Sequence, residues 1–213
     1  VSSHALVAYL NKDEITKPDG YVIEGPTAGG HNAPPRNKKS KDEEGNPIYT
    51  EQDAADLVKV KNSGSPFWLA GGYATPAKVQ EALAAGAQGV QVGSLFALAE
   101  ESGFTPELKQ EVIDALTNKK LTVKTDGSAS PTGFPFKVAV LPNSLSDDDA
   151  YEKRNRICDL GYLRTPFERE NGGIGYRCPS EPLKTYEFKK GNVDEAQHSQ
   201  CLCNALMSNI GLG

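Results

Sequence analysis

A histidine that follows two glycines behind a short apolar strand is the residue of this chain best placed to do chemistry. The segment EGPTAGGHNA occupies residues 24–33, directly after the apolar run at residues 21–23. Gly29 and Gly30 let the backbone approach a ligand closely, because glycine has no Cβ. Ligands of α/β proteins bind outside the carboxyl ends of the strands, so we predict His31 at the mouth of a site. The alternative is a glycine turn followed by an ordinary surface histidine.

Two more strand ends of the same kind follow downstream. The apolar run at residues 67–70 leads into Gly71 and Gly72, and a second predicted strand, residues 89–92, leads into Gly93 and Ser94. Backbone amides at glycine turns and at helix starts bind phosphate. In (β/α)₈ barrels the phosphate site is typically made by the loops after the last two strands. The sequence therefore predicts a phosphate site at these two turns.

The helices that must hold these strands are indicated by caps and apolar stripes. Thr75 is a good N-cap and Pro76 suits the first helical position, so a helix is predicted from there to Gly86. Further helices are predicted at residues 3–11, after Thr50 with Ala54, Leu57 and Val58 facing inward, and from Thr105 and Pro106 to Leu116.

The motifs EGPTAGGH, WLAGG and GVQVGS occur in this order. Residues 21–103 thereby resemble the C-terminal half of the nitronate monooxygenase family, also called 2-nitropropane dioxygenase-like proteins, which are FMN-dependent (β/α)₈ barrels. The resemblance implies an α/β fold: about three βα units from the C-terminal part of a TIM barrel, followed by an irregular extension. It also implies that His31 is the catalytic base. The residues implied to bind FMN are Glu24, Gly29, Gly30, Gly71, Gly72, Gln91, Val92, Gly93 and Ser94.

Two positions depart from the family pattern. Many members have glutamine in place of Glu24, and a carboxylate near a flavin disfavours the anionic reduced form through like-charge repulsion. Ser94 is often threonine in the family, and serine keeps the hydroxyl group.

The activity that this resemblance implies is the FMN-dependent oxidation of alkyl nitronates or nitroalkanes by oxygen. One alternative is an FMN-dependent enoyl-thioester reductase, which shares the barrel and the AGGH histidine but needs a nicotinamide donor. No separate nucleotide signature supports such a donor. A third possibility is an inactive truncated fragment without bound flavin.

Length suggests that only part of a barrel is present, because a closed barrel needs about 250 residues and the chain has 213. The three strands then correspond to the sixth, seventh and eighth, and we expect the chain to begin inside a domain. Residues 1–121 are predicted to form the partial barrel and residues 122–213 the extension. With Val22, Leu69 and Val90 or Val92 facing inward, an open apolar face and a homo-oligomer are expected.

Composition limits the classes of partner. A net charge of −5 gives no overall positive potential that would attract nucleic acid. No apolar run approaches the length of a membrane span. We therefore expect a cytoplasmic enzyme that acts on a small molecule and oxygen.

The extension contains the four cysteines of the chain: Cys158, Cys178, Cys201 and Cys203. Because Cys201-x-Cys203 is tighter than the usual ligand spacing and the other two cysteines stand apart, no metal site is expected and buried free thiols are predicted. A subgroup of the resembled family carries a similar extension with CDLGYLR, YRCP and CLCN. Within it, a strand is predicted at residues 137–141, and a helix at residues 200–209 with Leu202, Leu206 and Ile210 facing inward.

Overall fold

A parallel three-stranded sheet brings the predicted strand ends to one edge. In this computed structural model, which describes residues 1–37, 39–142 and 144–212, the strands are β1 (Tyr21–Glu24), β2 (Phe67–Ala70) and β3 (Gly89–Gln91). Their order is β1-β2-β3, and Glu24, Ala70 and Gln91 are aligned across the sheet. The strands at residues 21–24 and 67–70 are confirmed. β3 ends one residue earlier than predicted.

Among the described residues of this region, four α-helices accompany the sheet: α1 (His4–Leu10), α2 (Leu57–Asn62), α3 (Pro76–Ala84) and α4 (Ser94–Ala97). The cap at Thr75 is confirmed, because its side chain accepts a hydrogen bond from the Lys78 N–H and Pro76 follows it. The single helix predicted after Thr50 is wrong. Thr50 caps only a short 3₁₀ helix (Glu51–Asp53), Ala54 is extended, and Asp56 caps α2 separately.

The core lies between the sheet and its helices. It is made by Val7, Tyr21, Ile23, Val60, Phe67, Leu69, Ala82 and Ala87, with Val90 packed against it. On α2 the buried side chain is Val60 and not the predicted Val58, which is 69% exposed. Side chains alternate between the two faces of a strand, so Val22 and Trp68 lie on the other face. The expectation that Leu69 and Val90 share a face with Val22 is therefore wrong.

Trp68 occupies this second face, which we call the Trp68 face. The indole lies between Gly20 and Gly89: a Cβ at Gly20 would stand 2.8 Å from Trp68 Cζ3, and one at Gly89 would stand 3.2 Å from Cδ1. Both glycines therefore leave room for the ring. The side chain remains 36% exposed.

The outer edge of β1 is partly paired by the first residue. The Val1 amino group donates to the Val22 carbonyl oxygen at 2.7 Å, and the Glu24 N–H donates to the Val1 carbonyl oxygen at 2.9 Å. This is the hydrogen-bond pattern of a parallel neighbour.

By contacts, the chain divides into two units, Val1–Ala99 and Glu100–Gly213. The second contains more regular structure than the predicted irregular extension. Its elements are α5 (Pro106–Thr117), β4 (Thr122–Asp126), β5 (Phe136–Val140), α6 (Asp148–Lys153), β6 (Thr165–Glu168), β7 (Ile174–Arg177), α7 (Leu183–Phe188), α8 (Val193–Ala196) and α9 (Leu202–Ser208). β4 pairs antiparallel with β5, and β6 with β7. The domain boundary at residues 121/122 stays a prediction.

Three predicted elements of this unit have observed counterparts. The helix predicted from Thr105 and Pro106 is confirmed as α5, because the Thr105 side chain caps it and accepts a hydrogen bond from the Leu108 N–H. β5 lies within one residue of the predicted strand, and α9 falls inside the predicted helix. Leu202 is buried as predicted. Leu206 is 57% exposed and Ile210 is 42% exposed, so their predicted inward orientation is wrong. Across the described residues, no helix is both long enough and apolar enough to span a membrane.

Candidate functional site

The carboxyl edge of the parallel sheet gathers the predicted site residues. Glu24 ends β1 and Gln91 ends β3, and the Gln91 Nε2 group donates a hydrogen bond to Glu24 Oε1 at 3.4 Å. Val92 and Gly93 follow β3, and Ser94 begins α4. Two of the predicted flavin contacts are thus joined directly across the sheet.

Gly71 fixes the turn after β2 against the turn after β1. Its φ is +95°, a left-handed conformation, and a Cβ there would lie 2.6 Å from the Ala28 amide nitrogen. The Thr27 hydroxyl donates to the Gly71 carbonyl oxygen at 3.1 Å. Gly71 is therefore required for the contact between these two turns.

The other glycines of the predicted site face open space. A Cβ added at Gly29, Gly30 or Gly93 would meet no atom within 4 Å, and one at Gly72 would meet only Thr27 Oγ1 at 3.9 Å. Gly30 and Gly72 also have positive φ angles of 72° and 79°. Their backbone is accessible to a ligand at the strand ends.

His31 follows Gly29 and Gly30 in the chain, and its side chain is exposed. Burial of part of the ring lowers its pKa from the usual 6.5. The imidazole is consequently neutral at pH 7 and can accept a proton.

A cavity of about 360 Å³ opens beside the end of β1. Its walls are Val1, Ser2, Ser3, Leu6, Glu24, Gly25, Pro26, Asn32, Ala33, Pro34, Arg36, Tyr49 and Asp53. His31 is not one of them, whereas the next residue, Asn32, is. The burial of Asn32 is not predictable from the sequence, because an asparagine after a glycine turn carries no signal that it will be buried.

Part of the cavity wall is held together by hydrogen bonds to Asp53. This carboxylate accepts the Arg36 N–H at 2.7 Å and the Thr50 N–H at 2.8 Å. Burial opposes its ionisation, yet these bonds and the Arg36 charge lower its pKa overall. The Tyr49 hydroxyl donates to the Ala33 carbonyl oxygen at 2.9 Å, and burial, together with the Asp53 charge, raises the Tyr49 pKa.

The cysteines lie in the second unit as free thiols. Cys178 is buried, whereas Cys158, Cys201 and Cys203 are half-buried, so the prediction of buried thiols holds fully for one of the four. Burial and the neighbouring thiols of Cys158 and Cys201 raise the Cys178 pKa to about 11. No group of three or more His, Cys, Asp or Glu residues within the described ranges has the arrangement to hold a metal ion.

The fold and its carboxyl edge define a mixed α/β protein with glycine turns at three strand ends. Residues 4–131 match the family model described as nitronate monooxygenase. The chain belongs to this family, which confirms the resemblance found in its motifs.

Individual relatives agree over part of the chain. It is 36% identical over 110 residues to a "Probable nitronate monooxygenase" of Bacillus subtilis (strain 168). The aligned region covers 51% of this chain and 30% of that relative. A mutant FabK structure from Thermotoga maritima is 27% identical, with a TM-score of 0.43, over 65% of this chain and 38% of that chain. The chain thus spans about a third of the length of these two relatives.

Proposed function

We propose that this chain is part of an FMN-dependent oxidoreductase that oxidises nitronates or nitroalkanes with oxygen. The observation that carries the proposal is the alignment of three parallel strand ends, each followed by a glycine turn, inside the region that matches the family. Family membership supports flavin-dependent oxidation. We propose in addition that the flavin is FMN and that the substrate is a nitronate or nitroalkane.

The residues present fit a flavin. Open space stands before Gly29, Gly30, Gly72 and Gly93, where a ligand can approach the backbone without meeting a Cβ. The turns at residues 71–72 and 93–94 would hold the phosphate, and the strand ends at Glu24 and Gln91 would contact the ring. Glu24 is expected to oppose the anionic reduced flavin through charge repulsion.

His31 would perform the proton transfer. A neutral imidazole accepts a proton from the carbon next to a nitro group, or it positions a nitronate that has already formed. The lowered pKa of His31 keeps it in the neutral form at pH 7. The bound flavin supplies the electron transfer to oxygen.

Further parts of the proposal concern the whole protein. A small nitronate and oxygen are the expected substrates, the cytoplasm is the expected compartment, and a homo-oligomer is expected because the Trp68 face exposes this large apolar ring. We also propose that this sheet is the C-terminal part of a (β/α)₈ barrel.

FMN binding by the chain tests the proposal. The variant Gly93→Ala places a methyl group in open space, and Gly93 has an ordinary φ of −110°, so the fold should be kept. We expect the FMN dissociation constant to rise by roughly tenfold or more, since a Cβ displaces the phosphate from backbone amides that it must approach to about 2.9 Å.

Equilibrium dialysis measures FMN binding, and circular dichroism checks the fold. Gly103→Ala is the matched control, because its Cβ would meet only Ile210 at an ordinary 3.6 Å. A chain that takes up no FMN in the dialysis, and is colourless once free FMN has been removed, would support the inactive fragment instead. Equal FMN affinity of Gly93→Ala and the unaltered chain would refute the assignment of this turn.

A further inference from the structure

The four cysteines of the second unit lie on three chain segments that hydrogen bonds hold together. The segments stand before β6, directly after β7 and at the start of α9, and they carry Cys158, Cys178, and Cys201 with Cys203. Each pair of segments is joined by a hydrogen bond between residues within two positions of a cysteine: Arg156 Nη1 to the Pro179 carbonyl oxygen at 3.0 Å, the Ser180 hydroxyl to the Gln200 carbonyl oxygen at 2.5 Å, and Asn204 Nδ2 to Asp159 Oδ1 at 3.0 Å. These contacts bring together cysteines that are distant in sequence, and we call the four the thiol cluster.

The sulfur atoms of the thiol cluster lie near enough to influence one another. Burial raises the pKa of Cys178 to about 11 and also raises the pKa of Cys201, and in both cases the charge of Cys158 adds to the effect. On Cys201, the charge of Cys158 acts more strongly than that of Cys203, which is only two residues away in the chain. Because charges interact more strongly at shorter separation, the Cys158 and Cys201 sulfurs form a close pair.

Cys158 is the sulfur of this pair whose surroundings favour reaction. The Arg164 guanidinium donates to the Cys158 carbonyl oxygen, and a hydrogen bond with the Cys158 side chain, together with its charge, raises the Arg164 pKa. A cation beside a cysteine stabilises the thiolate, which is the nucleophilic form. Cys158 and Cys201 are both half-buried, whereas Cys178 is 3% exposed. A small oxidant can therefore reach the pair, but Cys178 is shielded from it.

We propose that Cys158 and Cys201 form a site of reversible oxidation by hydrogen peroxide. The Cys158 thiolate attacks one peroxide oxygen, the O–O bond breaks, and the leaving hydroxide takes up the proton that the thiol lost, which gives water and a sulfenic acid at Cys158. The Cys201 sulfur then attacks the Cys158 sulfur, the S–O bond breaks, and the Cys201 proton leaves with the hydroxyl group as a second water. Two thiols are thereby oxidised to a disulfide, and one peroxide is reduced to water.

Tryptic peptides separate the three segments of the thiol cluster. Cys158 falls in peptide 157–164, Cys178 in peptide 178–184, and Cys201 and Cys203 in peptide 191–213. The reduced full chain is treated with hydrogen peroxide, its remaining thiols are blocked with N-ethylmaleimide, and the digest is analysed by mass spectrometry. We expect peptides 157–164 and 191–213 to be joined by a disulfide. Before blocking, the intact chain should be lighter by about 2 Da, the mass of two hydrogens, and dithiothreitol should reverse this loss.

Serine variants assign the two sulfurs. Cys158→Ser should abolish the cross-link, and Cys201→Ser should stop the reaction at the sulfenic acid, which dimedone labels in peptide 157–164. Cys203→Ser is the matched control: it removes another half-buried thiol from the same tryptic peptide and should form the cross-link as the unaltered chain does. Circular dichroism checks the fold of each variant before oxidation. The peptide map of the unaltered chain tests the proposal even if a variant does not fold.

Three results would overturn the proposal. The first is a disulfide that contains Cys178 or that joins Cys201 to Cys203. The second is a cross-link that is lost in Cys203→Ser and kept in Cys201→Ser. The third is a chain whose thiols all stay reduced in peroxide, whether they are simply unreactive or protected by a zinc ion that native mass spectrometry would detect. The oxidation needs neither flavin nor turnover, so none of these results bears on the proposed function, which FMN binding tests separately.

Discussion

Replacing Gly71 with alanine should destabilise the unit that contains the parallel sheet. The added methyl group would stand 2.6 Å from the Ala28 amide nitrogen and 2.8 Å from Thr27 Oγ1. The Ala28 atom belongs to the backbone of the turn after β1, so it cannot move aside as a flexible side chain would. The two turns at the candidate site would have to separate.

The size of the effect follows from two contributions. Alanine in the left-handed conformation of Gly71, with φ at +95°, costs about 1–2 kcal/mol. Forcing a methyl group into a filled contact costs about 1–3 kcal/mol. The free energy of unfolding should therefore fall by about 2–5 kcal/mol, a large share of the roughly 5–15 kcal/mol of a typical protein.

Urea unfolding followed by circular dichroism measures this difference. Gly29→Ala is the control, because its Cβ meets nothing within 4 Å and its φ is not positive, so its stability should change by only about 0.5 kcal/mol. If Gly71→Ala unfolded at the same urea concentration as the unaltered chain, the described contact between the two turns would be wrong.

Three further outcomes are expected. With flavin bound, His31→Asn should slow turnover of a neutral nitroalkane by roughly 10² to 10⁴-fold, and turnover of the preformed nitronate far less. An equal loss of turnover with both substrates in His31→Asn would rule out a base. Because the His31 pKa lies below 6.5, nitroalkane turnover by the unaltered protein should decline only as the pH falls below that value. Lys189→Ala removes the 2.6 Å partner of Glu181, whose side chain is 3% exposed, so urea unfolding should show a loss of about 3–5 kcal/mol. The neighbouring Lys190→Ala breaks only an exposed pair with Glu170 and should cost under about 1 kcal/mol; equal losses would contradict this difference.

Short-range signals in the sequence predicted the sheet and two of its helices, α1 and α3, well. The apolar run of β2 and the Thr75–Pro76 helix start depend on neighbouring residues alone, and the structure places both as expected. The prediction of one helix after Thr50 is wrong because Asp56 provides a second N-cap six residues later. Two adequate caps compete there, and sequence spacing does not decide between them.

Features set by contacts distant in sequence were not predictable in this way. The face of β2 that meets the helices depends on where Val60 and Ala82 pack, which periodicity does not reveal. β6 contains Pro166, which argues against a strand when it is met in a sequence, yet β6 forms a two-stranded hairpin with β7. The burial of Asn32 likewise depends on the cavity wall around it.

The position of Trp68 gives the chain a built-in optical probe. It is the only tryptophan, and it lies partly exposed on the Trp68 face between Gly20 and Gly89. Indole fluorescence shifts to shorter wavelengths when water leaves the ring. The tryptophan emission therefore reports whether a second copy or another molecule covers this one face, and a bound flavin would quench it by accepting the excitation energy. Unlabelled protein is enough to follow such an event in solution.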